Sequence, residues 1–344
     1  MKKFFVFFFL GVAGITGAFF AEHFLIMNYG INMHEWFYPS YYSGNFPETA
    51  FPCKKGLESH YKETVERGYQ RMKQSKMVIC GLARNTAQSL SLIKNRLEQT
   101  GKLFKNYRIV IFENDSADAT RDILKQWESD NSHIHLIKCS QPDCKFGDRP
   151  LYEYGITGRD RITKMAQFRN IYLDYVKKIY ADYDYVIVVD MDLKGPWSLD
   201  GLAHSVGSDN WDVIAAYGLH SLIGTLGNLL VMYDGLAYVA GNGSYEDPKR
   251  FIQNYFRMNF LNGVGAKKGD PLIPVKSAFS GLAIYTIKSI VDSHYKPGIC
   301  EHVGFHQSMA ENGYDRIFIN PSMILLSGHQ GPLNTIKILT SYYK

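Results

Sequence analysis

A doubly wound α/β fold with a mostly parallel central sheet is what this sequence predicts, and three observations carry the prediction. From Lys76 onward, short apolar runs alternate with longer segments whose apolar residues recur at helical spacing. That order builds β-α-β units with right-handed crossovers. The run Tyr183–Asp192 is rich in β-branched and aromatic residues and stops abruptly at two carboxylates, Asp190 and Asp192. Its Tyr185–Val189 portion is apolar on both faces, as a strand covered on both sides by helices must be. Finally, 344 residues with 24 Tyr and 21 Phe supply a sizeable core for one large or two modest domains.

The elements follow in order. Met77–Cys80 reads as the first strand, closed by Gly81-Leu-Ala-Arg84-Asn85. A helix from about Thr86 to Gln99 carries Leu90, Ile93 and Leu97 on one face and stops at Gly101. Tyr107–Phe112 is the second strand and leads into Glu113-Asn-Asp-Ser116-Ala-Asp118-Ala-Thr120. There Ser116 or Asp118 can cap a helix whose buried face is Ile123, Leu124 and Trp127. His133–Ile137 makes a third strand, and Arg159–Tyr180 a long helix with an apolar stripe from Ile162 to Ile179. It feeds the Tyr185–Val189 strand. Beyond Asp192 the pattern loosens: Trp211–Tyr217 is a strand, Leu222–Gly241 is apolar, Gly-rich and interrupted by Asp234, and Ser244–Gly269 is a polar, basic insertion. Val275–Ile287 returns to sheet character. Cys300–His306 opens a helix, and Arg316–Leu326 is the last strand.

Lys2-Lys3 precede Phe4–Ala21, eighteen residues without a charge. At about 1.5 Å per residue that just spans a bilayer core of roughly 30 Å. A cleaved signal peptide is the rival, with Ala18-Phe-Phe-Ala21 a poor cleavage site. The expected layout is a cytoplasmic tip and transmembrane anchor over 1–27, a stem over 28–75 and a catalytic domain over 76–344. Lys2 and Lys3 place the bulk of the chain across the membrane, a type II arrangement suited to a Golgi- or ER-like lumen. In a bacterium, an enzyme using a cytoplasmic donor would sit on the inner membrane with its catalytic part in the cytoplasm. The net charge of +5 is spread without a basic tract, which argues against a nucleic-acid partner. Five scattered cysteines are too few for a disulfide scaffold; Cys139 and Cys144 form a local disulfide or nothing, and make a poor zinc site without a second pair.

In open α/β sheets the ligand lies just beyond the carboxyl ends of the strands. Asp190 and Asp192 emerge there, and their hard oxygens suit Mg²⁺ or Mn²⁺ bridging a diphosphate. A solvated strand end or helix cap is the plainer alternative for an isolated Asp-x-Asp. The ordered series of strand-Gly-Leu-Ala-Arg-Asn, strand-Glu-Asn-Asp-Ser-x-Asp-x-Thr, Arg-bearing helix and strand-Asp-x-Asp resembles nucleotide-sugar-dependent glycosyltransferases of the GT-A fold. It is most similar to the fungal capsule-associated mannosyltransferases and related viral and bacterial enzymes. The likeness covers roughly residues 76–330, and Glu113–Thr120, Asp190–Asp192 and Cys300–His306 carry most of it.

The resemblance implies a Rossmann-like GT-A domain, a divalent metal (Mn²⁺ or Mg²⁺), a GDP- or UDP-sugar donor and a glycan or glycoconjugate acceptor. Mannose is one candidate sugar. It implies a base- or ribose-recognising acid at Glu113 and a third metal ligand at His329, beside Asp190 and Asp192. The residues' own chemistry fits. Gly81 and Ala83 let backbone approach the donor, and Arg84 reaches a phosphate, or these form a tight turn with a surface charge. Asp115 is a donor contact or a cap. Arg161 or Arg169 donates to the diphosphate. Glu301 is the catalytic base of an inverting transfer, an acceptor-positioning group in a retaining one, or a helix-entry acid. Asp192 takes part in catalysis through the metal, and Ser280, Gly281 and His302 are expected at the acceptor. Two rivals stand: a membrane-tethered glycan-binding protein without activity, and a nucleotidyltransferase of similar fold.

Overall fold

The structure, a computed structural model, describes residues 45–139, 159–224, 227–245 and 265–327. The expected anchor at Phe4–Ala21 and the expected ligand His329 lie outside these residues. Among the described residues, no helix is long and apolar enough to cross a membrane.

Helix α1 (Glu58–Met72) leads into strand β1 (Lys76–Ala83), helix α2 (Ala87–Gly101), strand β2 (Asn106–Glu113), helix α3 (Thr120–Asp130) and strand β3 (Ile134–Lys138). Helix α4 (Arg159–Ile179) then precedes β4 (Tyr185–Val189), α5 (Leu199–Gly207), β5 (Val213–Gly224), β6 (Gly227–Met232) and β7 (Val239–Ala240). The last elements are β8 (Ile273–Ser277), β9 (Leu282–Thr286), the one-turn α6 (Ile287–Ile290), α7 (Glu301–Glu311) and β10 (Ile317–Leu326).

Among the described residues, one ten-stranded sheet runs β3-β2-β1-β4-β9-β5-β10-β8-β7, with β6 paired to β5. The first four strands are parallel neighbours, as the strand-helix alternation requires. The remainder corrects the expectation of a mostly parallel sheet. Strand β9 runs antiparallel to both β4 and β5, β8 antiparallel to β10, and β7 to β8. Only β5 and β10 are parallel there. A strand buried on both faces reads the same in either direction, so its apolar run carries no signal of orientation.

Alternate residues of β1 serve two separate cores. Val78 and Cys80 pack with Phe168, Tyr172 and Val176 of α4 and Phe305 of α7. Met77 and Ile79 pack with Leu90, Ile93 and Leu97 of α2, Leu124 and Trp127 of α3, and Leu202 and Val206 of α5. The period of two along the strand is what divides the molecule into three layers.

The described part of the expected stem is not a separate stalk. Helix α1 lies against α5, and a Cβ at Gly68 would stand 1.7 Å from the carbonyl oxygen of Ala203. Ahead of it, Glu48 accepts from Ser198 Oγ at 2.6 Å and pairs with Lys268 Nζ at 2.7 Å. Charged residues in α1 hid its buried stripe of Thr64, Val65, Gly68 and Met72. Gly68→Val is therefore expected to cost about 3 kcal/mol through overpacking, read as a lower urea midpoint. A detachable stalk would leave the midpoint unchanged.

Candidate active site

Beyond the carboxyl ends of β1, β2 and β4 lies a cavity of about 470 Å³. Its wall carries Asp190, Asp192, Asp234 and Glu301 together with Arg84, Arg161 and Arg169. Four carboxylates and three guanidiniums thus meet where the fold leaves room for a ligand.

The Asp-Met-Asp turn is held from three sides. The Asp190 amide donates to Gly281 O at 3.0 Å, and Ser89 Oγ at the start of α2 donates to Met191 O at 3.0 Å. The Met191 side chain is buried against Gly81, where an added Cβ would come within 2.6 Å of its Cγ and Sδ. With Met191 locked inward, Asp190 borders the cavity and Asp192 is exposed beside it. Burial and then the neighbouring Asp192 push the Asp190 carboxyl up to about 7, while Arg169 partly offsets them.

Arg169 from α4 is nearly fully buried. Its Nε donates to Glu301 Oε1 at 3.1 Å, its Nη2 to Asp190 Oδ1 at 3.4 Å and its Nη1 to the Tyr172 hydroxyl at 3.3 Å. The Phe279 and Tyr295 rings flank the guanidinium at 5.4 and 5.8 Å. Its donors face protein groups on three sides, so it joins two site carboxylates instead of offering its fork to a diphosphate. Arg84 and Arg161 also line the cavity.

Glu301 opens α7, where the helix dipole favours a carboxylate. Next to it, His302 stacks on Phe279 at 3.7 Å and is 2 % exposed. Among the described residues, neither of its ring nitrogens has a hydrogen-bond partner. Burial and the Arg169 charge hold it well below the usual histidine range, so the ring is neutral. Asn114 Nδ2 and Thr86 Oγ1, both buried at the cavity wall, are likewise unpartnered. Buried polar groups left open in this way are costly unless a ligand completes them.

Several expected contacts lie elsewhere. Gly81 and Ala83 face the α2 side of the sheet, where Ala83 joins the core; the alternate residues Leu82 and Arg84 face the cavity. Glu113 is fully buried and accepts from Ser116 N at 2.9 Å and Arg121 Nε at 2.8 Å, bracing the loop ahead of α3. Its neighbour Asn114 reaches the cavity instead. Asp115 sits on that loop with left-handed backbone (φ 54°), outside the cavity wall. Asp118 caps, accepting from Thr120 N and Ala87 N. Ser280 and Gly281 form a buried turn behind the wall, and their part is to hold Asp190 through the Gly281 carbonyl.

Like Thr86 and Asn114, Asp234, in the apolar segment 222–240 expected as core or acceptor wall, is a site residue that the sequence does not single out. It follows β6 with φ 63° and ψ 54°, a left-handed conformation in which Asp and Asn are the tolerated non-glycine residues. Burial, then Asp190 and Glu301, push its carboxyl well above the usual range. The signal was Tyr-Asp-Gly after an apolar run, a turn-forming dipeptide at a strand end.

Among the described residues, no three His, Cys, Asp or Glu side chains are grouped to hold a metal ion. Asp190 and Asp192 nonetheless fit a hard divalent cation. They are two neighbouring oxygen donors, one of them raised by burial and then by the other's charge, and the open cavity leaves the remaining positions to substrate and water.

No protein-family model matches the chain, and no curated protein matches it in sequence. Solved structures similar to it include the mannosyltransferase PcManGT from Pyrobaculum calidifontis in complex with GDP-Man and Mn²⁺, at 12 % identity and a TM-score of 0.43, covering 78 % of this chain and 66 % of that one. S. aureus TarS 1–349 in complex with UDP-GlcNAc aligns at 13 % identity and TM-score 0.41 over 73 % and 58 %. A mycobacterial protein aligns at 11 % and 0.39 over 76 % and 70 %. The chain thus spans less than two thirds of the length of the first two. Likenesses this distant carry no weight for the reaction.

Proposed function

We propose that this chain is a GT-A-type glycosyltransferase that moves a sugar from a nucleoside-diphosphate donor to a hydroxyl of a glycan or glycoconjugate, with mannose one candidate. The observation that carries the reading is the pair Asp190 and Asp192, fixed at the carboxyl end of β4 and facing a cavity that Arg84 and Arg161 also line. In this reading Asp190 and Asp192 hold a divalent cation, Mn²⁺ or Mg²⁺. When bound, it neutralises charge on the departing diphosphate.

Arg84 and Arg161 draw the phosphates into the cavity. Thr86 and Asn114 offer open hydrogen-bonding atoms at the same wall, on the loops after β1 and β2. Arg169, donating to Oε1 at 3.1 Å, holds Glu301 in place next to where the sugar would lie. His302, neutral and stacked on Phe279, offers a ring nitrogen to a sugar or acceptor hydroxyl. The apolar Phe4–Ala21 stretch is proposed as the membrane anchor.

A thermal-shift panel tests this. GDP- or UDP-sugar at about a hundred times its dissociation constant, with Mn²⁺, should stabilise the protein by about 2.7 kcal/mol. At roughly 2–4 °C per kcal/mol for a chain of this size or smaller, that is a rise of several degrees. A protein stabilised by glycans alone, releasing no nucleoside diphosphate, would instead be a binding module.

A further inference from the structure

We propose that Asp234 takes the proton from the acceptor hydroxyl, an assignment that rests on the glycosyl-transfer reading above. Two carboxylates without a cation-binding part face the cavity, Glu301 and Asp234. Glu301 is engaged: Arg169 donates to its Oε1 at 3.1 Å, so taking up a proton there would undo a buried ion pair. Asp234 has no ion-pair partner among the described residues, and its low-dielectric surroundings make it a stronger proton acceptor than a carboxylate in water.

The corner that presents Asp234 is held against its backbone strain. The Tyr233 amide donates to Gly218 O at 2.9 Å, and the Ala237 amide to Asp234 O at 3.2 Å. Ser277 Oγ spends its one proton on Ala237 O, at 2.6 Å. At the 2.8 Å contact between Ser277 Oγ and His306 Nδ1, the imidazole must therefore be the donor. That leaves His306 Nε2 to accept from the Tyr285 hydroxyl at 3.1 Å, and burial keeps this histidine neutral, its pKa pushed down to about 3. His306 belongs to α7, the helix that begins at Glu301. Two carboxylates from distant parts of the chain thus reach one cavity on supports tied to each other. A strained corner so firmly determined is where a reacting group is expected.

In the step itself the acceptor oxygen bonds to the anomeric carbon while the bond from that carbon to the phosphate oxygen breaks. The hydroxyl proton passes to an Asp234 oxygen, and the electron pair leaves with the nucleoside diphosphate. The anomeric configuration inverts, and Asp234 afterwards returns the proton to water.

Donor turnover with water as acceptor provides the test, using GDP-mannose or UDP-N-acetylglucosamine with Mn²⁺, whichever stabilises the wild type. Asp234→Asn keeps a residue at home in left-handed backbone. It should retain the donor-induced thermal shift while releasing nucleoside diphosphate about 10²–10⁴-fold more slowly. Azide, a nucleophile with no proton to lose, should restore release and yield a glycosyl azide of inverted configuration. Glu301→Gln should lose turnover without rescue. Should Asn prevent folding, Asp234→Gly takes its place with the same expected readings. Wild-type turnover in Asp234→Asn, or azide rescue of Glu301→Gln in its stead, overturns the assignment alone. A wild type that neither binds nor turns over any donor overturns the glycosyl-transfer reading and this assignment with it.

Discussion

Arg169→Met is expected to lower stability by about 3–5 kcal/mol, the cost of leaving the buried Glu301 and the half-buried Asp190 without their cation. Both Asp190 and Glu301 lean on this one guanidinium, and the Phe279 and Tyr295 rings give it no other use. Methionine fills the volume, so the loss reports charge and not a cavity. Lysine should recover only part of it, since a point charge cannot serve both partners and Tyr172 with a planar fork. The sign of the pH effect follows. Arg169 partly offsets the rise of the Asp190 carboxyl, so without the arginine that group binds its proton more tightly and the deficit should shrink as pH falls from 8 toward 5. Urea denaturation at the two pH values checks both statements. A Met variant within about 1 kcal/mol of wild type would remove Arg169 from its central place.

The second large effect separates activity from stability. The folded Asp190 carboxyl keeps its proton up to about pH 7, against 3.8 for an ordinary one. Between those values the folded state binds the extra proton, so this group's contribution to stability declines as pH rises through that window. Asp190→Asn removes the charge and should be more stable than wild type at pH 8. It should also turn over donor at least about 10²-fold more slowly, because the cation loses a ligand. Mn²⁺ alone should raise the wild-type melting temperature more at pH 8 than at pH 5, and leave an Asp190→Asn, Asp192→Asn variant unmoved. Equal stabilisation of that variant would place the cation somewhere else.

How far the chain could be read turned on which physical signals are local. Strands β1, β2 and β4 announce themselves as short continuous apolar runs, and helices α2 and α4 by an unbroken period of 3.6. Helix α5 was missed. Its sequence Leu-Asp-Gly-Leu-Ala-His-Ser-Val-Gly is buried over most of its surface, so it lacks a polar face, and two glycines lower its propensity. The same limit hid the antiparallel half of the sheet. Within the site, Asp190, Asp192, Arg84, Arg161, Arg169, Glu301 and His302 were all singled out and do share one cavity. Gly81 and Glu113 were placed one residue off: strand alternation alone would have favoured Leu82 and Arg84, but Arg121 closing on Glu113 from eight residues away has no sequence period to betray it. Asp234 required knowing that β6 returns along β5 to deliver it.

Strand β9 enters the sheet between β4 and β5, although about a hundred residues separate Val189 from the Gly281 carbonyl that anchors Asp190. A ribosome-bound chain that has made its first four strands therefore owns the aspartates but not their orientation. Contacts this far apart in sequence form late, because a long loop must be closed before they return anything. On the proposed reading, competence to grip a donor thus arrives with the last third of the polypeptide, and a fragment ending before residue 281 would carry Asp190 and Asp192 without the carbonyl that anchors Asp190.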